Sequence, residues 1–183
     1  MTQKERCLKA VAEKVSSCRK CELSKNRKKT VPGTGKPDAK VMVIGEAPGK
    51  NEDEQGLPFV GRAGSILDEA LEKAGKKRED VFITNVVKCR PPNNRDPRKK
   101  EVESCNEYLE KQIKTVDPDI ILPVGNHALQ RVLSKKKISQ HRGKIYKKNG
   151  RKYMPTYHPA ATIYNRKIRP RFEKDIQKAF EGG

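Results

Sequence analysis

The chain has 183 residues, 33% hydrophobic and 36% charged, and its 42 Lys and Arg against 23 Asp and Glu leave a formal charge of +19. That length holds one domain with a real core, leaves too little for two, and contains no segment approaching a membrane span. The imbalance of sign argues against the balanced surface of simple heat adaptation and for a polyanionic partner, most simply nucleic acid.

Residues Met1–Lys14 lack a signal peptide's apolar core, so a cytoplasmic, reducing setting is expected, where metal sites are more usual than disulfides. Apolar residues at Leu8, Val11, Ala12 and Val15 predict a helix over Lys4–Val15 that delivers Cys18 and Cys21. Val41–Ile44 is a continuous apolar run ending at Gly45, the pattern of a buried parallel strand. A polar, glycine-containing loop runs from Glu46 to Arg62. A helix follows with Ile66, Leu67, Ala70 and Leu71 on one face and Gly75 as its stop. The second strand is predicted over Val81–Val87. The proline-rich loop Lys88–Pro97 holds Cys89, and a helix over Arg98–Lys114 contains Cys105.

Asp119–Gly125 reads as the third strand, with Asn126 expected to cap the next helix. From Gly143 a hairpin is predicted with its turn at Asn149-Gly150 and a second arm reaching Tyr153–Tyr157. His158-Pro159-Ala160-Ala161 opens a short helix, and Arg171–Phe180 forms the last one. Strand alternating with helix means an α/β domain with a mostly parallel sheet. The whole chain, 1–183, reads as that one domain.

Four cysteines stand out. Cys18 and Cys21 form a Cys-x2-Cys pair, with Cys89 and Cys105 well downstream. Four thiolates suit a cubane iron–sulfur cluster or a tetrahedral zinc. Zinc ribbons use two close pairs, whereas the second pair here is open. This favours a [4Fe–4S] cluster and leaves zinc or disulfides as alternatives. Cys7 lies in a helical stretch outside the pattern and reads as a part-buried thiol.

In an open α/β sheet the functional crevice lies at the carboxyl ends of the strands. Three such ends are unusual. The first strand runs into Gly45-Glu46-Ala47-Pro48-Gly49, followed by Glu52 and Asp53; the second carries the polar Asn85; the last ends at His158. A buried Asn is costly unless its amide is paired, and that amide can also read the edge of a flat heterocycle. The Gly45–Gly49 loop has neither Gly-Lys-Ser/Thr nor Gly-x-Gly-x-x-Gly, so no nucleotide cofactor is expected. His127 and His141 sit in no recognisable constellation and read as surface or capping residues.

Gly45–Gly49, the stretch Gly56–Gly64, Thr84–Pro92 and His158-Pro159-Ala160 together resemble the type-4 uracil-DNA glycosylases, the iron–sulfur branch of that superfamily. The resemblance runs from about Cys18 to the C-terminus. It implies a three-layer α/β/α fold around a central four-stranded, mostly parallel sheet. It also implies a monofunctional repair enzyme that flips uracil out of single- or double-stranded DNA and hydrolyses its N-glycosidic bond. A monomer acting at the nucleoid is expected, with no membrane partner and contact with a replication clamp left open.

Roles carry over in the same way. Cys18, Cys21, Cys89 and Cys105 would hold a [4Fe–4S] cluster. Phe59 would stack on the extruded base, and Asn85 would accept from uracil N3–H and donate to O4. Gly45, Glu46 and Ala47 would line the pocket, and His158 would face O2. Glu46 and Glu52 are the candidates to position water or favour the sugar cation. Arg62, Tyr164 and Arg169 are candidate DNA contacts, Tyr164 or Arg169 for the vacated stack.

The better-known members of the superfamily have an Asp and a Tyr in the loop where this chain has Ala47 and Gly49. A compensating carboxylate is therefore expected from Glu46 or Glu52, with Glu52 also crowding the pocket near C5. The loop Pro91–Pro97 lacks the His-bearing insertion of the covalently trapped branch, so turnover is expected. Two rival readings explain less. A metal-stabilised nucleic-acid-binding domain leaves Phe59, Asn85 and His158 without a purpose, and a redox protein leaves the charge unexplained.

Overall fold

The structure, a computed structural model, describes residues 1–182. The chain forms α1 (Gln3–Ser16), β1 (Thr34–Gly35), β2 (Val41–Gly45), α2 (Lys50–Gln55), α3 (Arg62–Lys73), β3 (Phe82–Asn85) and α4 (Lys99–Val116). Then come β4 (Ile120–Pro123), α5 (Asn126–Leu133), α6 (Ile138–His141), β5 (Tyr146–Lys148), β6 (Arg151–Tyr153), α7 (Ala161–Tyr164) and α8 (Arg169–Glu181).

The strands form one sheet in the order β1-β3-β2-β4-β6-β5. Its middle four, β3-β2-β4-β6, are parallel, and short antiparallel strands close both edges. The parallel four match the expected sheet, with the hairpin turning at Asn149-Gly150, where both residues have positive φ. β1 and the small helices α2 and α6 lie in stretches that carry too few apolar residues to signal an element.

Every residue of β2 is buried, yet the strand still alternates. Met42 and Ile44 face a core with Val11 and Val15 of α1 and Leu109 and Ile113 of α4. Val41 and Val43 face a second core with Leu67 and Leu71 of α3 and Phe172 and Ile176 of α8. Two apolar faces require cover on both sides, and that is the physical origin of the three layers.

Chain order fixes where the crevice opens. β2 is followed by β3 on one side, and the chain then crosses over to β4 on the other, so the order reverses next to β2. The loops after β2 and β4 diverge there, leaving a cleft at the carboxyl edge.

Asn126 does not cap α5. Gly125 holds the cap position at φ 88°, and Asn126 instead accepts a hydrogen bond from the Ile138 N–H at 2.8 Å, tying α6 to α5. Among the described residues no helix is long and apolar enough to cross a membrane.

Candidate active site and four-cysteine centre

The parallel register builds the site. Gly45, at the end of β2, pairs with Asn85, at the end of β3. Beyond β4, Val124 bridges Thr156 and the Gly125 N–H donates to the Thr156 carbonyl at 2.9 Å, which leads the chain to His158. Asn85, Gly45–Glu46, Gly125 and His158 therefore stand in one row along the carboxyl edge. Glycine is needed at two of these points. A Cβ at Gly45 would collide with Asn85 Oδ1 and come within 2.7 Å of Phe59 Cζ; one at Gly125 would lie 3.1 Å from His158 Cβ.

Phe59 reaches over this row from the loop between α2 and α3. Its ring stacks on His158, with centroids 5.6 Å apart and planes 27° apart. Its φ of 50° is a left-handed conformation that costs a bulky residue of the order of 1–3 kcal/mol. Arg78 holds the loop there. Its guanidinium donates to the Pro58 carbonyl at 2.8 Å and to the Phe59 carbonyl, and pairs with Asp68 at 2.9 Å. Gly64 allows the Phe59 carbonyl to approach the first turn of α3, since a Cβ there would overlap it.

Glu46 sits in a cluster that the sequence does not announce. His127 Nε2, in the first turn of α5, lies 3.8 Å from Glu46 Oε2 and 3.4 Å from Asp96 Oδ1. Burial pushes the Glu46 carboxyl up to about 7; His127 opposes that rise, and the Asp96 charge and hydrogen bond reinforce it. Glu46, His127 and His158 share a cleft of about 210 Å³ with Gly125 and Tyr157. Glu52 lies elsewhere. A Cβ at Gly49 would meet its carboxylate at 3.0 Å and one at Gly61 at 3.7 Å, so it faces the starts of α2 and α3, where negative charge is favoured. Asp53 is structural: it accepts from the Lys28 and Lys29 N–H groups at 2.9 and 3.4 Å.

His158 Nδ1 accepts the Ala160 N–H at 3.0 Å. Burial pulls its imidazole down to about 4. Together these fix a neutral ring with its proton on Nε2, a donor that carries no charge.

Cys18, Cys21, Cys89 and Cys105 line a single pocket with Arg27, Lys88 and Tyr108, and none is in a disulfide. Burial raises the Cys21 and Cys89 thiols and pushes Cys105 up to about 11. Arg27 Nη1 reaches the Cys89 sulfur at 3.3 Å, and the Leu23 and Lys88 N–H groups oppose the rise of the Cys21 and Cys105 thiols. Four cysteines gathered in one largely apolar pocket are poor free thiolates and suited to a thiolate-bound metal. Lys88 is wholly buried beside it, and burial lowers its ammonium to about 7 against the influence of Cys105.

The three candidate DNA contacts differ. Tyr164 is 90% exposed at the end of α7, and Arg62 is exposed at the start of α3. Arg169 is engaged by Glu173 at 3.0 Å and by Glu69. Ala47 packs against the α1–α4 core. Arg78, Lys88 and Asp96 carry no signal in the sequence, and His127, which reads there as a surface or capping residue, instead joins Glu46 and Asp96, because each acquires its meaning from residues far away in the chain.

The chain is similar to known proteins over most of its length. The family described as "Uracil DNA glycosylase superfamily" matches residues 32–181. A protein of Saccharolobus solfataricus named type-4 uracil-DNA glycosylase is 48% identical over 95% of this chain and 85% of its own. Proteins of the same name from Archaeoglobus fulgidus and Thermotoga maritima are 44% and 43% identical, over 93% and 98% of this chain and 90% and 96% of theirs.

Proposed function

This chain belongs to the uracil-DNA glycosylase superfamily, on its type-4 side, and we propose from that premise how its own residues remove uracil from DNA. It is a DNA repair glycosylase, a hydrolase of N-glycosidic bonds. The observation that carries the mechanism is the convergence of Gly45, Phe59, Asn85 and His158 on one point of the carboxyl edge.

A base inside duplex DNA is out of reach, so it is first turned out of the stack at a cost of a few kcal/mol. The +19 charge offsets part of this cost through phosphate contacts. Phe59 offers its face to the extruded ring. The Asn85 amide accepts from uracil N3–H and donates to O4, a pattern cytosine cannot satisfy. As the bond to C1′ breaks, negative charge grows on O2 and the neutral His158 donates from Nε2. A well-aimed donor of this kind is worth about 3–4 kcal/mol. The Glu46 carboxylate, adjusted by Asp96 and His127, favours the cation-like sugar and orients the attacking water.

The four cysteines fit a [4Fe–4S] cluster by donor set and burial, with Cys18, Cys21, Cys89 and Cys105 as its ligands. What a bound cluster supplies is a cross-link between the end of α1, the loop after β3 and α4, since glycosidic hydrolysis transfers no electron. Residues 1–183 then act as one domain, because α1 and α4 share a core beneath this centre. Tyr164 is the side chain offered to the vacated stack, being exposed and unpaired where Arg169 is not.

The test is excision on a labelled oligonucleotide with one uracil, using protein purified without oxygen, followed by alkali. Cleavage at uracil and not at cytosine or thymine is expected. Tight binding to any DNA without cleavage would leave a metal-stabilised binding domain in place of an enzyme.

A further inference from the structure

Among the largest side chains that are almost wholly buried is a lysine. Lys88 is 1% exposed, and its Nζ donates to Thr84 Oγ1 at 2.6 Å, the Asn85 carbonyl at 2.7 Å and Gln112 Oε1 at 2.7 Å. These partners are held as acceptors. Thr84 Oγ1 sends its own proton to the Pro32 carbonyl at 2.9 Å, and Gln112 Nε2 donates to that carbonyl at 2.5 Å. Three acceptors match the three protons of an ammonium.

No carboxylate pairs with Lys88 among the described residues. Its ionisable neighbours are thiols: it lines one pocket with Cys18, Cys21, Cys89 and Cys105. A buried cation without an anion is an unfavourable arrangement. Four thiolates on a zinc ion or on an oxidised cubane carry a net negative charge, which removes the difficulty. The third hydrogen bond goes to Asn85, the residue that reads the base.

We propose that Lys88 is the internal counter-cation of the four-cysteine centre and the positioning residue that links loading of that centre to the aim of the Asn85 amide. The link is short. Lys88 lines the four-cysteine pocket, and its ammonium grips the last carbonyl of β3, while the Asn85 side chain of that same residue abuts Gly45 in the base pocket. The inference rests on reading the cysteines as a metal centre and Asn85 as the base reader.

The test compares the anaerobically purified protein with Lys88→Met, near in shape and uncharged, and Lys88→Arg, which keeps the charge. Iron and sulfide content and the centre's reduction potential are read first, and then single-turnover excision of uracil against cytosine. The loaded Met variant is expected to show a more negative potential, because a nearby positive charge is gone, and a uracil preference reduced about tenfold or more by a misaimed amide. The Arg variant is expected to stay near the original potential. Failure of Lys88→Met to load while Lys88→Arg loads also supports the counter-charge. A loaded Met variant with unchanged potential and unchanged preference overturns the proposal, as does failure of both variants to load alike. Absence of iron from the original protein would instead defeat the metal reading itself, and uracil excision insensitive to Asn85→Ala would defeat the base-reading role.

Discussion

The Phe59 ring lies on the His158 imidazole at 5.6 Å, so the residue that would cover the base touches the residue that would receive its charge. An entering ring must part or slide along this stack while meeting the Nε2 proton. A neutral donor at that point gains strength only as charge develops, which lowers the barrier without tightening substrate binding.

His158→Ala is therefore expected to lower the single-turnover rate by about 10²–10³ with little change in KM. Because burial holds the imidazole near 4, it stays neutral from pH 5 to 8. It then contributes no inflection to the rate profile in that range. An inflection near 6.5 that disappears in His158→Ala would contradict the neutral donor.

Glu46 supplies the inflection instead. In the proposed mechanism the carboxylate is the active form, and its value is about 7, so the rate should climb with pH and level off above that midpoint. Well below it, each unit of pH costs about tenfold. His127 lowers the Glu46 value and Asp96 raises it. His127→Ala should move the midpoint up, Asp96→Asn should move it down, and Glu46→Gln should give a slow, flat profile. Single-turnover rates between pH 5 and 9 check all three. Identical midpoints in the first two variants would remove Asp96 and His127 from the machinery.

Gly45→Ala adds one methyl where Asn85 Oδ1 and the Phe59 ring already meet. The stability loss should be that of a crowded core, about 1–3 kcal/mol by urea unfolding. The excision rate should fall further, by about 10² or more, because the added carbon occupies the base position. Equal excision by a well-folded variant would show that the base binds elsewhere.

Arg78 acts at a distance. Its guanidinium bonds the Pro58 and Phe59 carbonyls and so sustains the φ of 50° at Phe59. In Arg78→Met these acceptors lose their donor, at about 1–3 kcal/mol each if no water replaces it. Stacking on the base is lost in ground and transition states together, so KM should rise more than kcat falls. A rise in KM for uracil DNA, with iron content intact, separates this from general misfolding.

Local pattern made much of this protein legible. Val41–Ile44 is apolar throughout, which announces a strand buried on both faces, and Asn149-Gly150 announces a hairpin. The four cysteines stood out by type and spacing, and the structure gathers them in one pocket. Gly45, Asn85 and His158 stood out at strand ends, and Phe59 entered through the family resemblance. In contrast, β1 is two residues long and α6 four, too short for any period to show. Asn126 looked like a cap because Asn before a helical run usually is one. The bond to Ile138, twelve residues on, overrode that preference.

The sequence by itself determined the fold class and the family and singled out the four cysteines, since these follow from residue pattern and an ordered set of short motifs. Only the tertiary structure decided which carboxylate joins His127 and Asp96, which arginine holds the Phe59 loop, and where the buried lysine sits. Burial and the approach of groups dozens of residues apart set those charges and hydrogen bonds, and neither quantity exists until the sheet has closed its register and the helices have covered both its faces.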